Sequence, residues 1–440
     1  MVDSGKGMIT PKSDDEAGEA HGPDLTPILN GKKLRRVYLT HNHLDHIGFV
    51  PGLNQVGLFS EETSIYGTPQ TNALLDVLAW GDVRKGTLDF NLLDYLETID
   101  KLKNLPKPGE SRIGDDVIYT DPNGHQAGST SFSFRTPVGR VAKVMGDGCW
   151  HDQAIVQGGS WPSELPKEWL PDEIWGTDLT YASGGMSEER SYYDKKQEFI
   201  EAIKGHLNKG KTVVIMGFAT SKIPNAANDL IAAGIPCWVD SITAWKSIGI
   251  YHQMRWSDRD NVIPEPGEMV GIRKVDGRDH RNQLMEDGEP KVILATGGMG
   301  DFGPILDYYD YGLARENFVF IATSWLAPGS NGLKLVELVT KYPEWKGNEN
   351  NRKVRLRFDK ERKVLSVRAD VQRFGLSSHG TFGDFIHYLT QLIDARDGKL
   401  LERIFLTHGT IDAMMRARKE LEQFAKEVIP GSLVGEAEII

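Results

Sequence analysis

His41-Asn42-His43-Leu44-Asp45-His46-Ile47-Gly48 is the stretch on which the reading of this chain turns. Four side chains that bind metals fall within six residues. They follow Arg36-Val37-Tyr38-Leu39, which reads as a short strand. Neutral imidazole and carboxylate are the usual nitrogen and oxygen ligands of zinc. A sharp turn after a strand lets alternate residues face two neighbouring metals. A His-rich surface turn seldom reaches this density, and an isolated His-x-His would carry far less weight.

Outward from this motif, Arg36-Val-Tyr-Leu-Thr-His41 has a near copy in Arg403-Ile-Phe-Leu-Thr-His408. Each reads as a strand that delivers a His at its C-terminal end, where open α/β sheets place their sites. Periodicity predicts helices near 68–80 and 88–105, and strands at 117–119, 131–135, 141–145 and 173–177. From about residue 195, helices (192–207, 223–233) alternate with strands (212–216, 236–239, 292–295, 318–322). That alternation predicts a parallel sheet. A hairpin is expected from 353–358 and 364–368, then a helix over 383–395 and a strand at 403–407. The first 30 residues, with Asp14, Asp15, Glu16 and Glu19, read as a solvated arm.

A chain of 440 residues exceeds one ordinary domain, so two are expected, or one interrupted by another. Hydrophobic residues are 39% and charged residues 26%, a globular balance. Cys149 and Cys237, the two cysteines, cannot build a disulfide framework or a thiolate zinc site. That suits a reducing compartment, with the cytoplasm the simplest location. No apolar run is long enough to span a bilayer, and the N-terminus lacks the apolar core of a signal peptide. Lys and Arg total 51 against 62 Asp and Glu, a net charge of −11. Alone, that balance argues against a nucleic-acid partner. Locally the sign reverses: residues 346–368 hold nine Lys/Arg and three Asp/Glu, 9 − 3 = +6. Arg355 and Arg357 alternate with Val354, Leu356 and Phe358, so both face one side of a strand.

The motif resembles the signature of the metallo-β-lactamase fold hydrolases, His-x-His-x-Asp-His after a strand. Further positions match that pattern in order. His125 in Gly124-His-Gln-Ala-Gly-Ser129 matches a loop His, and Asp147 in Val144-Met-Gly-Asp147-Gly an Asp after a strand. His408 matches a late His, and Asp3 in Val2-Asp-Ser-Gly5 an early Asp that orients the site. A second layer resembles the β-CASP nucleases. Asp178-Leu-Thr-Tyr181 is similar to Glu-Ser-Thr-Tyr, and Ser377-Ser-His379 to a Ser-x-His before a helix. Gly297-Gly-Met-Gly-Asp-Phe-Gly303-Pro and Ala327-Pro-Gly-Ser-Asn-Gly332 resemble two loops of the inserted domain. Three departures stand out. Asp178 replaces the commoner Glu, Ser324-Trp-Leu-Ala-Pro departs from Gly-Tyr-Gln, and the chain opens almost at Asp3. The last leaves no room for the strand that usually precedes that motif, so a truncated sequence or a short first sheet is expected.

The resemblance implies an α/β fold: a metallo-β-lactamase αββα sandwich with an inserted β-CASP α/β domain built on a parallel sheet. The expected division is 1–195, 196–365 and 366–440, the middle segment being the insertion. It implies two zinc ions, with manganese or magnesium as alternatives. His41, His43 and His125 would hold one, and Asp45, His46 and His408 the other, with Asp147 bridging them. A hydroxide shared by two metals would attack the phosphorus in line. Asp45, His379 and Asp178 are the expected catalytic residues. His379 would stabilise the scissile phosphate or protonate the leaving oxygen, and Asp178 would fix the tautomer of a ligand His. Ser377, Ser378, Gly297, Gly298 and Lys222 are candidate substrate contacts. The implied activity is RNA hydrolysis, internal or from a 5′ end. The competing readings are a hydrolase of small esters, thioesters, lactones or phosphoesters, and a non-catalytic RNA-processing subunit. A homodimer is the default assembly. His21, His151, His206, His252, His280 and His387 have no motif around them and read as surface or packing residues.

Overall fold

The structure is a computed structural model of the chain. It describes residues 1–4, 7–8, 20–21, 31–85, 92–180, 182, 192–264, 271–344, 351–358, 361–409 and 411–431. The acidic cluster Asp14–Glu19, Tyr181 and the hairpin-tip residues Asp359 and Lys360 lie outside the described residues.

Two compact units divide the chain. Met1–Glu189, Met254–Asn261 and Ser378–Ile440 form the first; Arg190–Gln253 and Val262–Ser377 form the second. The sequence-based edges at 195/196 and 365/366 differ from these. The strand Asp370–Arg373 pairs with Phe318–Ala322 and keeps the chain in the second unit through 377. No periodic signal marks Met254–Asn261, which interrupts the second unit and belongs to the first.

In the first unit, a two-residue ladder joins β1 (Gly7–Met8) to β2 (Ala20–His21). β3 (Arg36–Tyr38), β4 (Ser64–Gly67) and β5 (Leu102–Asn104) form a parallel sheet, and Val2 bridges Tyr38 at its edge. β6 (Gly109–Ile113), β7 (Asp116–Pro122), β8 (Thr130–Arg135) and β9 (Val141–Val144) form an antiparallel meander. β10 (Glu173–Trp175), β19 (Leu401–Leu406) and β20 (Ala425–Pro430) extend it in parallel, giving the order β20-β19-β10-β9-β8-β7-β6.

Alternation along β3 explains the layering. Tyr38 turns to the seven-stranded sheet and packs on Phe132 and Phe134, with ring centroids 5.4 and 5.5 Å away. Val37 turns the other way, into a core with Ile65, Leu75 and the helix Val50–Gln55. Beyond the larger sheet, Ile174, Ile404 and Leu406 pack against the helices Phe382–Ala395 and Ile411–Leu421. Helix, sheet, sheet, helix is the expected αββα sandwich.

One expected element is wrong in its extent. The helix read over 88–105 covers only Leu92–Asp100 among the described residues, and Leu102–Asn104 is β5. The apolar spacing continued past the helix end, but a turn with the Lys101 amide on the Thr98 carbonyl stops it. The next residues then pair with β4.

The second unit carries β11 (Thr212–Gly217), β12 (Cys237–Asp240), β13 (Ile272–Lys274), β14 (Val292–Thr296), β15 (Phe318–Ala322) and β18 (Asp370–Arg373). They form one parallel sheet in the order β13-β12-β14-β11-β15-β18. β11 and β15 are buried along their whole length, as a parallel sheet covered on both faces requires. β16 (Lys353–Phe358) and β17 (Glu361–Ser366) make the expected hairpin. Val354, Leu356 and Phe358 are buried, while Lys353 and Arg355 are exposed, as the alternation predicts.

Candidate metal centre

Every motif histidine and aspartate lies in the first unit, all but Asp3 and His379 on turns or loops that follow strands. The turn after β3 carries His41 and His43, and its short continuation Leu44–Ile47 carries Asp45 and His46. His125 stands on the loop between β7 and β8, and Asp147 just past β9. Asp178 follows β10 and His408 follows β19. The two near-identical hexapeptides thus do the same work on different sheets.

Three overlapping groups result: His41, His43, His125 and Asp147; Asp45, His46, Asp147 and His408; and Asp147, Asp178 and His379. Within each group the ligand atoms lie within 4.8 Å of one another. Asp147 is common to all three and is 1% exposed.

The imidazoles are aimed by what holds their outer nitrogens. Nδ1 of His46 faces Asp3 Oδ2 at 2.8 Å, and Nδ1 of His125 faces the Ser378 carbonyl at 2.8 Å. Nδ1 of His41 meets Thr40 Oγ1 at 3.1 Å, and Nδ1 of His408 meets Thr180 Oγ1 at 3.0 Å. Such partners fix tautomer and ring orientation and turn Nε2 inward. His43 differs: its Nδ1 lies 3.0 Å from His125 Nε2.

Buried His41 Nε2 makes no hydrogen bond, although an unmet buried polar group costs about 1–3 kcal/mol, and His46 Nε2 faces Asp147 Oδ1 at 3.1 Å. Their convergence with further nitrogen and oxygen donors is the donor set of a divalent cation. The charge state agrees. Burial holds His41 and His125 well below the ordinary imidazole pKa and pushes His43 down to about 4. All three are neutral lone-pair donors at pH 7. Burial opposes the charge on His46 and His408 too, but Asp147 outweighs it. Asp3 adds its pull on His46, and Asp178 and Asp45 theirs on His408, so both lie well above the ordinary range. Burial also opposes ionisation of Asp147, yet the surrounding histidines hold its carboxyl well below the usual range. A cation entering this cluster replaces those protons as counter-charge.

Asp178 is the hub of the third group. Its Oδ2 accepts from His379 Nδ1 at 2.7 Å and from the Gly148 amide at 3.2 Å, and its Oδ1 accepts from the Thr180 amide at 3.1 Å. Thr180 Oγ1 also lies 3.4 Å from His379 Nδ1. The sequence offered a signal for Thr180, the third residue of Asp178-Leu-Thr-Tyr181, but hydroxyls rarely announce themselves without geometry. Thr40, which reaches Asp3 Oδ2 at 2.6 Å as well as His41, had no signal beyond its place after a strand.

Gly124, at φ +76°, shapes the His125 loop: a Cβ there would stand 2.1 Å from the Cys149 carbonyl oxygen. Of the candidate substrate contacts, Ser378 is buried and meets the site through its carbonyl. Ser377, Lys222, Gly297 and Gly298 belong to the second unit. There, Lys222 is buried and donates to the Leu376 carbonyl. Gly297 has φ +119°, and Gly298 lies under the Phe218 ring.

A two-sheet sandwich with clustered His and Asp at its strand ends defines a metallo-β-lactamase fold site. The sequence model of the Beta-Casp domain matches residues 223–335, within the inserted stretch. Ribonuclease TTHA0252 of Thermus thermophilus is 25% identical over 69% of this chain and 70% of its own length. An RNase J-like protein of Methanocaldococcus jannaschii is 23% identical over 83% of this chain and 80% of its own. Transcription termination factor FttA of Methanothermobacter thermautotrophicus is 23% identical over 87% of this chain, which spans only 59% of that factor. A solved structure from Enterococcus faecalis, titled a protein of unknown function, shares the fold. Its TM-score is 0.53 at 14% identity, covering 91% of this chain and 80% of that one. The chain thus carries a Beta-Casp match within a metallo-β-lactamase fold and is similar to ribonucleases over most of its length, which supports a place in the β-CASP group. Among the described residues no helix is long and apolar enough to cross a membrane.

Proposed function

We propose that the chain is a metal-dependent ribonuclease that hydrolyses RNA phosphodiester bonds. The observation that carries this reading is the Asp178–His379 pair beside Asp147, the carboxylate shared by all three ligand groups. The names of the ribonuclease relatives support the same substrate.

In this reading His41, His43 and His125 hold one cation, and Asp45, His46 and His408 another, with Asp147 serving both. Zinc suits the nitrogen-rich donor set, with manganese or magnesium as alternatives. When bound, such cations supply Lewis acidity at the phosphate and activate water. The rest falls to the chain's own groups. Asp3, Thr40 and Thr180 keep the ligand imidazoles turned inward. Asp178 holds the proton of His379 on Nδ1, so a protonated His379 donates from Nε2 to the leaving oxygen or to a phosphate oxygen. Cys149 and Cys237 are not joined in a disulfide, which suits the reducing cytoplasm in which we place the protein.

Cleavage of a labelled, unstructured RNA tests the proposal, with a small aryl ester as the second substrate. The intact protein is expected to cut the RNA, and His379→Ala to slow it by about 10²–10⁴. Asp45→Ala is expected to lose both bound metal and cleavage. Hydrolysis of the ester by a metal-loaded protein that leaves RNA intact overturns it.

A further inference from the structure

Met254–Asn261 lies in the middle of the inserted stretch of sequence, yet it is part of the metal-bearing unit. Its composition shows why it goes there. Trp256, Ser257 and Asp260 are at most 4% exposed, and Asp260 is charged. A buried carboxylate must be met by donors, and this one is. Its Oδ2 accepts from the Trp256 amide (2.8 Å), the Ser257 amide (2.9 Å) and Gln70 Nε2 (2.8 Å). Its Oδ1 accepts from the Gly128 amide at 3.0 Å. Gly128 closes the loop Gly124–Ser129 that carries His125.

The other end of that loop is held from the same segment. Asn261 Nδ2 donates to the carbonyls of Gln153 (3.1 Å) and Ala154 (3.2 Å). Gln153 Nε2 donates in turn to the carbonyls of Gly124 (2.8 Å) and His125 (3.0 Å). Arg259 Nη1 donates to the Gly158 carbonyl at 2.9 Å, and Gly158 and Gly159 lie against the backbone of Trp150 and Asn123. His125 is 0% exposed, and outside this frame its loop is also held at the Ser378 carbonyl, 2.8 Å from His125 Nδ1, and by Thr68 Oγ1, which donates to the Gly128 carbonyl at 2.7 Å.

We propose that Arg259–Asn261 is a positioning strap for the His125 loop, that Asp260 is its positioning residue, and that cation binding by His41, His43 and His125 depends on it. The inference rests on reading that cluster as a metal site. It gives the inserted sequence a part in assembling the centre. Asp260 touches neither metal nor substrate. It acts by fixing where Gly128, and with it the His125 ring, can stand. Asp260→Asn turns an acceptor into a donor among N–H groups and breaks the frame without changing a ligand.

The test is competitive zinc titration of the full chain, with cobalt spectra of the same proteins. The wild type is expected to take up two equivalents. Asp260→Asn is expected to bind one of them about 10- to 100-fold more weakly, the range for loss of groups that orient ligands, with the other unchanged. Its first cobalt equivalent should show an altered ligand-field band. Asn261→Ala, which acts through Gln153, should weaken the same equivalent and serves if Asp260→Asn does not fold. Leu421→Ala, a core truncation in the same unit, should lower the melting temperature while leaving both affinities at wild type. Wild-type affinity and cobalt spectra in both strap variants overturn the inference. A wild-type chain that binds no metal overturns the reading of the cluster itself, and this inference with it.

Discussion

Replacing Asp178 by Asn removes one charge and keeps the shape. The Oδ1 contact to the Thr180 amide survives, because the amide oxygen still accepts. What is lost is the charge-assisted bond from His379 Nδ1, 2.7 Å long, and the weaker one from the Gly148 amide at 3.2 Å. A hydrogen bond to an ionised group is worth about 1.5–3 kcal/mol. If that term acts in the transition state, the chemical step slows by about 10- to 100-fold, at 1.36 kcal/mol per decade. Single-turnover cleavage of a labelled RNA measures the step free of product release. Metal content, read on the same preparation, separates the two parts Asp178 can play. Full metal with the slower step means that Asp178 sets the proton on His379. A loss of metal places it among the ligands, as its membership of the third group allows. A rate within twofold of wild type at full metal refutes the reasoning for Asp178 and His379 together.

Three further outcomes follow from the packing. Lys143 on β9 and Asp121 on β7 form an ion pair 2.8 Å apart across the intervening β8, 1% and 4% exposed. Lys143→Met should cost about 3–5 kcal/mol in urea unfolding, and Lys143→Met with Asp121→Leu should cost less than the single change; equal losses would contradict this. Gly124→Ala should abolish zinc binding, because its Cβ meets the Cys149 carbonyl and φ +76° is strained for Ala; normal zinc uptake would show that the loop can shift. Burial pushes the Cys237 thiol up to about 12, so a thiol reagent at pH 8 should modify it only as fast as the second unit unfolds. Prompt modification in native buffer would refute that.

Much of the candidate site was legible because side chains able to hold a cation are of few types, and here most of them follow strands. His41, His43, Asp45 and His46 declare themselves by density, and His125, Asp147 and His408 by order along the chain. Their supporting partners were less visible. Thr40 and Thr180 act through hydroxyls whose value depends on a 3 Å contact, and no spacing encodes that. The parallel sheet of the second unit was readable from buried apolar runs such as Val213–Met216. Leu102–Asn104 was not: three residues hold too little of a period to separate the end of a helix from a strand. The segment Met254–Asn261 was invisible for a different reason. It has no secondary-structure period, and its role comes from contacts to residues more than 100 positions away. The net charge of −11 pointed away from nucleic acid because it averages over a surface. It is still expected to make non-specific RNA binding weak and strongly salt-dependent.

The most direct test of the account is RNA cleavage by chelated, metal-free protein as zinc is returned to it in measured equivalents per chain. The account predicts no cleavage without metal and a plateau near two equivalents. Full activity in the metal-free protein, or no cleavage at any metal load, would contradict it.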